Sequence, residues 1–358
     1  MYLYVLDKEL NILGIVEKIT SLVWTQRKYE PGEFAMLLSA SKENIELLRI
    51  GRIVIRSDDE SREAAEILYI NIKKGVNGAE TLEVTGKFLT SIFADRLVPQ
   101  KEYGAATAAE IMRRVVDENC ISAADVARNY PGLVLGGVTV RENEAAVEYA
   151  NEPYISVLDI LTEIAQATEN GYTVTVDMEN KQYKFNVYGG ADRTAGGQSP
   201  VIFSIDAGNV TEQEYTQSDE SRKTRVWITD ESGTLSAVGG GDGFGLKEIY
   251  ADLSGIKQGE MTVEEYAAAL AEQGQIVLAQ NAAVINFTSK INPIAGGYKY
   301  GSDYFLGDKV TCVNLDWGIT VGAYITTTET AYEAGQKNIT LTLGNDLPTL
   351  SDKMTKRR

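Results

Sequence analysis

The sequence predicts an α+β, β-rich fold in which two small antiparallel β-barrels flank an intervening α/β unit. Three observations predict it. The chain has 358 residues, which at about 150 residues per domain implies two or three separate cores. Both ends are dense in short alternating segments punctuated by Gly, Pro and Asn, the pattern of short antiparallel strands. Between them lie two stretches with apolar residues at helical spacing.

The first barrel is expected over 1–95, with strands at 2–6, 12–16, 22–28, 34–39, 52–56, 67–73 and 81–85. Gly14, Pro31-Gly32, Gly51, Asn77-Gly78 and Gly86 punctuate them, at positions where special backbone angles come easily. One short helix at 41–50 interrupts them, with Ser41 as its cap and Gly51 at its end. The α/β unit follows over 96–199. Ile111, Met112, Val115 and Val116 mark one helix within 106–119, and Leu158, Leu161, Ile164 and Ala165 a second within 155–168. Strands are expected at 138–140, 172–176 and 183–188, the last alternating Tyr183, Phe185 and Val187 against Lys184 and Asn186.

The second barrel is discontinuous, over 200–232 and 284–346. Its strands are 201–205, 210–216, 223–229, 284–291, 309–314, 320–327 and 338–343. An insertion at 233–283 holds a Gly-rich loop and a long helix that Thr262 and Glu265 open as a capping box. Residues 347–358 form a C-terminal tail. Its cluster Lys353, Lys356, Arg357 and Arg358 reads as a solvated end with no assigned function.

Composition narrows the chemistry. Asp plus Glu total 51 against 34 Lys plus Arg, a formal charge of -17, which argues against a duplex-binding surface held by phosphate neutralisation. There is no histidine, which removes the commonest general base, the commonest metal ligand and every Ser-His or Cys-His pair. Cys120 and Cys312 are expected as buried reduced thiols. No apolar run reaches the roughly 18 residues of a membrane span, and the opening MYLYVLDKELN lacks a charged segment ahead of an apolar one. A soluble protein made in the cytoplasm, with no stable membrane insertion, is expected.

Four features invite a chemical reading, and each has a plainer one. Gly239-Gly240-Gly241-Asp242-Gly243-Phe244-Gly245 fits no phosphate-loop spacing and reads as a flexible loop over a neighbouring subunit. Ser204-Ile205-Asp206-Ala207-Gly208-Asn209 resembles half of a sialidase-type turn without its Thr-Trp pair, and reads as an ordinary Asp/Gly turn. The acidic groups Asp58-Asp59-Glu60 and Asp230-Glu231 could serve a glycosidase, but they sit in polar turns and read as solvated charge. The 19 tyrosines could form a binding surface, although most are expected at half-buried strand sites. No residue is therefore assigned a catalytic, cofactor-binding or metal-ligating role, and no cofactor is expected.

Several segments, in order, carry a resemblance. They are Lys28-Tyr29-Glu30-Pro31-Gly32-Glu33-Phe34, then Gly86-Lys87-Phe88-Leu89 with Arg96 after it, then Tyr188-Gly189-Gly190-Ala191-Asp192-Arg193-Thr194. Val201-Ile202-Phe203-Ser204 through Gly208-Asn209-Val210 come next, and Asp303-Tyr304-Phe305-Leu306-Gly307-Asp308-Lys309-Val310 leads into Trp317-Gly318-Ile319. Together they resemble the hub, or tail-associated, proteins of long-tailed phages and prophages of Gram-positive bacteria, over nearly the whole chain. That family often carries arginine where this chain has Gly245-Leu246-Lys247. The resemblance implies tail-tube-like barrels, two per chain, in a homotrimer that adapts a six-fold tail tube to a three-fold tip. It implies a virion protein without enzymatic activity, made in the host cytoplasm. The partners it implies are the tail tube or distal tail protein, the tape-measure protein and other tail-tip or receptor-binding proteins, with DNA only in transit. A cell-wall glycan-binding or glycan-cleaving tail-tip module is the alternative.

Overall fold

The computed structural model describes residues 1–59, 62–75, 78, 80–140, 146–292, 297–333 and 335–344. The chain opens with β1 (Leu3–Leu6), β2 (Ile12–Val16), β3 (Ser21–Arg27), β4 (Glu33–Ser39), helix α1 (Lys42–Leu47), β5 (Ile53–Arg56), β6 (Ala64–Lys74) and β7 (Glu80–Phe88). Strict alternation drives these strands. In β4, Phe34, Met36 and Leu38 are buried while Glu33, Ala35 and Ser39 face water, which a two-residue repeat enforces. They pack around Trp24, whose ring lies 5.6 Å from Phe34 and meets Phe88 edge-on at 4.9 Å. Ser41 caps α1 by accepting from the Asn44 amide, and Gly51 beyond it has φ +82°.

The middle of the chain holds β8 (Leu97–Val98), β9 (Glu102–Thr107), α2 (Ala108–Val116), β10 (Leu133–Thr139), β11 (Ala146–Ala150), β12 (Ile155–Ser156), α3 (Val157–Thr168), β13 (Gly171–Asp177), β14 (Gln182–Tyr188) and β15 (Asp192–Arg193). Thr107 and Glu110 form a capping box at the start of α2. Ile111, Met112, Val115 and Val116 then bury one face of α2 against Ile160, Leu161 and Ile164 of α3 and against Val174, Phe185 and Val187 of a three-stranded sheet. Each fully buried side chain of this size contributes about 1.5–3 kcal/mol.

The last part comprises β16 (Ile202–Ser204), β17 (Val210–Ser218), β18 (Arg225–Thr229), β19 (Leu235–Gly239), β20 (Glu248–Asp252), α4 (Val263–Gln280), β21 (Val284–Ile291), β22 (Lys309–Asn314), β23 (Ile319–Glu333) and β24 (Gln336–Gly344). Thr262 and Glu265 form the expected capping box on α4. Phe203, Phe287, Tyr304, Ile325, Leu341 and Leu343 form the core of this part.

Two closed barrels were expected, and the hydrogen bonding corrects this. The strands run in one open 14-stranded sheet, in the order β17-β21-β24-β23-β3-β4-β7-β6-β5-β1-β2, with β15, β16 and β22 attached beside β23. The cause is the length of β23. Its first part pairs with β22 from Ile319 to Tyr324, a bulge interrupts it between Ile325 and Thr327, and its second part pairs with β3 from Thr327 to Glu333. A bulge re-aims a strand, so one strand belongs to both halves and fuses them. Among the described residues, β2 and β17 pair on one side only.

A second correction concerns β18, expected in the second barrel. It lies instead in a separate sheet, antiparallel to β19 and parallel to β20, because Val226 and Ile228 bury against Tyr266, Ala269 and Leu270 of α4. The insertion is therefore a small sheet on a helix, not only a loop and a helix.

Candidate functional site

Three segments that carry the resemblance, far apart in the chain, meet at one joint between the sheet halves and the middle unit. Lys28 follows β3, and its amide donates to the Thr326 carbonyl at 2.9 Å. Its side chain is fully buried, with the ammonium 3.9 Å from the Tyr324 ring centroid, and a desolvated cation–π contact is worth about 2 kcal/mol. The next carbonyl, that of Tyr29, accepts from Thr162 of α3 at 3.2 Å and from the Tyr172 hydroxyl of β13 at 2.9 Å. Two consecutive residues thus bind the second sheet half and the middle unit. Gly32 closes the turn at the joint's edge, where a Cβ would stand 2.2 Å from the Thr25 carbonyl oxygen and 2.3 Å from the Phe88 ring.

The other two segments lock into each other. Asp308 is 3% exposed and accepts from the Ala191 amide at 2.7 Å, Arg193 Nε at 2.6 Å and the Phe305 amide at 3.0 Å. Such charge-assisted bonds are roughly twice as strong as neutral ones. Gly190 has φ +71°, and a Cβ there would lie 1.9 Å from the Gly307 carbonyl oxygen. The Lys309 amide donates to Ala191 at 2.9 Å, starting the parallel pairing of β15 with β22.

The connection between β5 and β6 ties the two sheet halves a second time. Arg56 Nε and Lys337 Nζ donate to the Asp58 carboxylate at 3.1 Å and 2.9 Å, as does the Tyr332 hydroxyl. Burial raises the Asp58 pKa, but the hydrogen bond and charge of Arg56, with Tyr332 and Lys337, outweigh it and hold the carboxyl well below the usual range. Arg56 and Asp58 lie in the first half, Tyr332 and Lys337 in the second. On the same connection, Glu63 accepts from Gln26 Nε2 at 2.7 Å and is 6% exposed. Burial pushes its carboxyl up to about 7; Asp59 adds to the rise, and Gln26 and Thr173 oppose it.

The features that invited chemistry lie elsewhere. The loop 239–245 is a peripheral turn with Phe244 fully exposed, and Lys247 at its base donates to the Asp219 carboxylate and carbonyl. Ser204 to Asn209 is a turn in which Asn209 bridges the Ser204 amide and the Ile202 carbonyl. The Asp230 carboxylate accepts from Ser232 and the Thr234 amide, and these bonds lower its pKa. Of the acidic groups, Asp58 is engaged in the fastening and Asp230 in its own turn, and Glu60 lies outside the described residues. Burial pushes both thiols up to about 12, so Cys120 and Cys312 stay as inert core groups. The basic tail lies outside the described residues.

Sequence reasoning missed Glu63, Gln26 and the multiple acceptance by Asp308. The available signal was a Glu directly preceding the buried Ala64-Ala65 of a strand. It also missed the open face of the insertion sheet, where Trp227 and Tyr250 sit in register.

Residues 2–345 match the model of the siphovirus ReqiPepy6 Gp37-like protein family. The chain belongs to this family of phage tail proteins. Its fold is similar to that of the tail protein from Neisseria meningitidis MC58, at 13% identity and a TM-score of 0.61, covering 96% of this chain and 97% of that one. The 43 kDa tail protein of prophage MuSo2 from Shewanella oneidensis is equally similar, at 13% identity and 0.61, over 96% and 98% of the two chains. Prophage tail protein gp18 from Listeria monocytogenes EGD-e matches at 12% identity and 0.56, over 100% and 98%. At such identities the likeness is one of fold. No curated protein matches the chain. Among the described residues, no helix is long and apolar enough to cross a membrane.

Proposed function

We propose that the chain is a structural hub subunit of a phage tail tip, closing as a homotrimeric ring that adapts the six-fold tail tube to the tip. The observation that carries this reading is the shared strand β23. It joins two β-rich halves into one sheet whose end strands β2 and β17, among the described residues, each pair on one side only. Bare strand edges seek partners, and two different edges per chain suit head-to-tail contacts that close a ring. In that ring each half, β1 to β7 and β16, β17 with β21 to β24, plays the part of one tail-tube-like barrel. Residues 96–199 and the insertion at 233–283 are outer units. The tape-measure protein and DNA pass through the lumen, and a net charge of -17 keeps DNA from adhering. The protein works without catalysis, against the tail tube or distal tail protein above and other tail-tip or receptor-binding proteins below.

Light scattering over a range of concentrations, with electron micrographs of the same sample, tests this. Trimers with a central hole are expected; a monomer that persists both at high concentration and beside its tube partner overturns the reading. One observation favours the glycan-binding alternative: Trp227 and the exposed Tyr250 stand side by side on the open face of the insertion sheet. Glycan-array binding lost in Trp227→Ala would support that alternative.

A further inference from the structure

Glu63 sits where three parts of the molecule meet, and nothing in the tail-hub reading uses it. Its backbone bridges antiparallel to Thr175 of β13, and next to it the Val176 amide donates to the Arg62 carbonyl at 3.1 Å. The segment 62–63 is thus a strap that ties the main sheet to the sheet of the middle unit. The Glu63 side chain reaches to Gln26 of β3, which also lies 3.4 Å from the Tyr300 hydroxyl, so the loop ahead of β22 joins the same cluster.

The groups around Glu63 fix what its ionisation does. On its own connection stand Asp59, which repels a second negative charge, and Arg56, which is already engaged with Asp58. β3 contributes the neutral Gln26 amide, β13 the hydroxyl of Thr173, β14 the Tyr188 phenol and the 297–306 loop the Tyr300 phenol. Burial holds both phenols far above their ordinary range, so they stay neutral in neutral solution. Lys28 and Tyr188 both approach Gly307, where a Cβ would lie 3.7 Å from the one and 2.7 Å from the other. At the cluster's centre the carboxyl changes charge near neutrality, and burying a charge is costly.

We infer that Glu63 is a proton-operated fastener: protonated, it holds the strap 62–63 against β13, and ionised, it releases the middle unit from the sheet. The sign follows from linkage. A carboxyl raised from its ordinary 4.5 to about 7 when buried binds its proton more tightly closed than open, so the closed joint is favoured fully below 4.5 and weakens as pH rises through 7. Between those two values, each step of one pH unit lowers the closed-to-open ratio about tenfold.

Hydrogen exchange on the full chain at pH 5.5 and 8.5, corrected for intrinsic chemistry, tests this. In the wild type, protection of the Val176 amide and of the peptide covering β13 is expected to fall about thirtyfold at the higher pH, because only the 1.5 units from 5.5 to about 7 lie in the titrating window. In Glu63→Gln it is expected to stay constant, and peptides of β21 and β24 should not respond in either protein. Equal pH responses in the two proteins, or none in the wild type, overturn the proposal. Should Glu63→Gln fail to fold, infrared titration decides. In a Glu163→Gln background, which removes another carboxyl raised by burial, a protonated carboxyl C=O band persisting at about pH 6, where ordinary carboxyls are ionised, supports the fastener, and its absence overturns it.

Discussion

The glycines of the joint and those of the loop at 239–245 look alike in the sequence and differ in cause. A Cβ at Gly190 would lie 1.9 Å from the Gly307 carbonyl oxygen, and one at Gly86 would lie 1.9 Å from that of Glu66. At Gly240, Gly243 and Gly245 nothing stands within 4 Å. The joint needs glycine because backbones touch there. The loop makes that demand only in part: a Cβ at Gly239 would lie 2.3 Å from the Thr224 carbonyl oxygen and one at Gly241 2.9 Å from that of Gly245, while its other three glycines stand clear. Density of glycine therefore does not by itself mark where backbones touch.

The largest effect expected from this contrast is at Gly190. Gly190→Ala meets both a positive φ of +71° and a backbone clash, and should cost at least about 3 kcal/mol, seen as loss of folded protein or a collapse of Tm. Asp308→Ala comes next. It strands the Ala191 and Phe305 amides and the Arg193 guanidinium, for about 3 kcal/mol in denaturant unfolding. If both variants were as stable as the wild type, the joint would not be what holds the halves together.

Asp58→Asn is a smaller test with a distinctive pH dependence. The Asp58 carboxyl is depressed in the folded chain, so its contribution is present above the ordinary carboxylate range and is lost as pH falls through the folded value. The variant should lose about 1–2 kcal/mol at pH 7, and the gap should narrow below about pH 4. Glu63 has the opposite sign, so the two fasteners of one connection should separate cleanly in a stability–pH profile.

Strands with clean alternation were legible. Those at 12–16, 284–291 and 309–314 fall on β2, β21 and β22 with the expected bounds, although in β2 Ile12, Leu13 and Ile15 are exposed. The capping boxes and apolar stripes likewise revealed α2, α3 and α4. What was not legible depends on long-range pairing. β23 was read only to residue 327, because beyond it the buried face is Thr328 and Thr330, hydroxyls that look solvent-facing in a sequence. Without that extension, the contact with β3 and the fusion of the halves could not be foreseen. β19 and β20 were missed because LSAVG and EIYAD flank a Gly-rich stretch and gain strand character only by pairing with β18. Four tyrosines, Tyr29, Tyr172, Tyr188 and Tyr300, gather at the joint instead of lining a surface, and no local pattern encodes that.

The smallest expected effect reverses the sign of the largest. Gly245 has no steric neighbour within 4 Å and no positive φ, so Gly245→Ala removes freedom from the unfolded chain without straining the folded one. It should stabilise by about 0.5 kcal/mol, read as a small rise in Tm. If the loop packs on a neighbouring subunit, the same variant should leave the isolated chain slightly more stable while weakening assembly. Stability and assembly measured on one sample therefore distinguish a bare loop from one whose glycines answer to a partner, the comparison with Gly190 in another form.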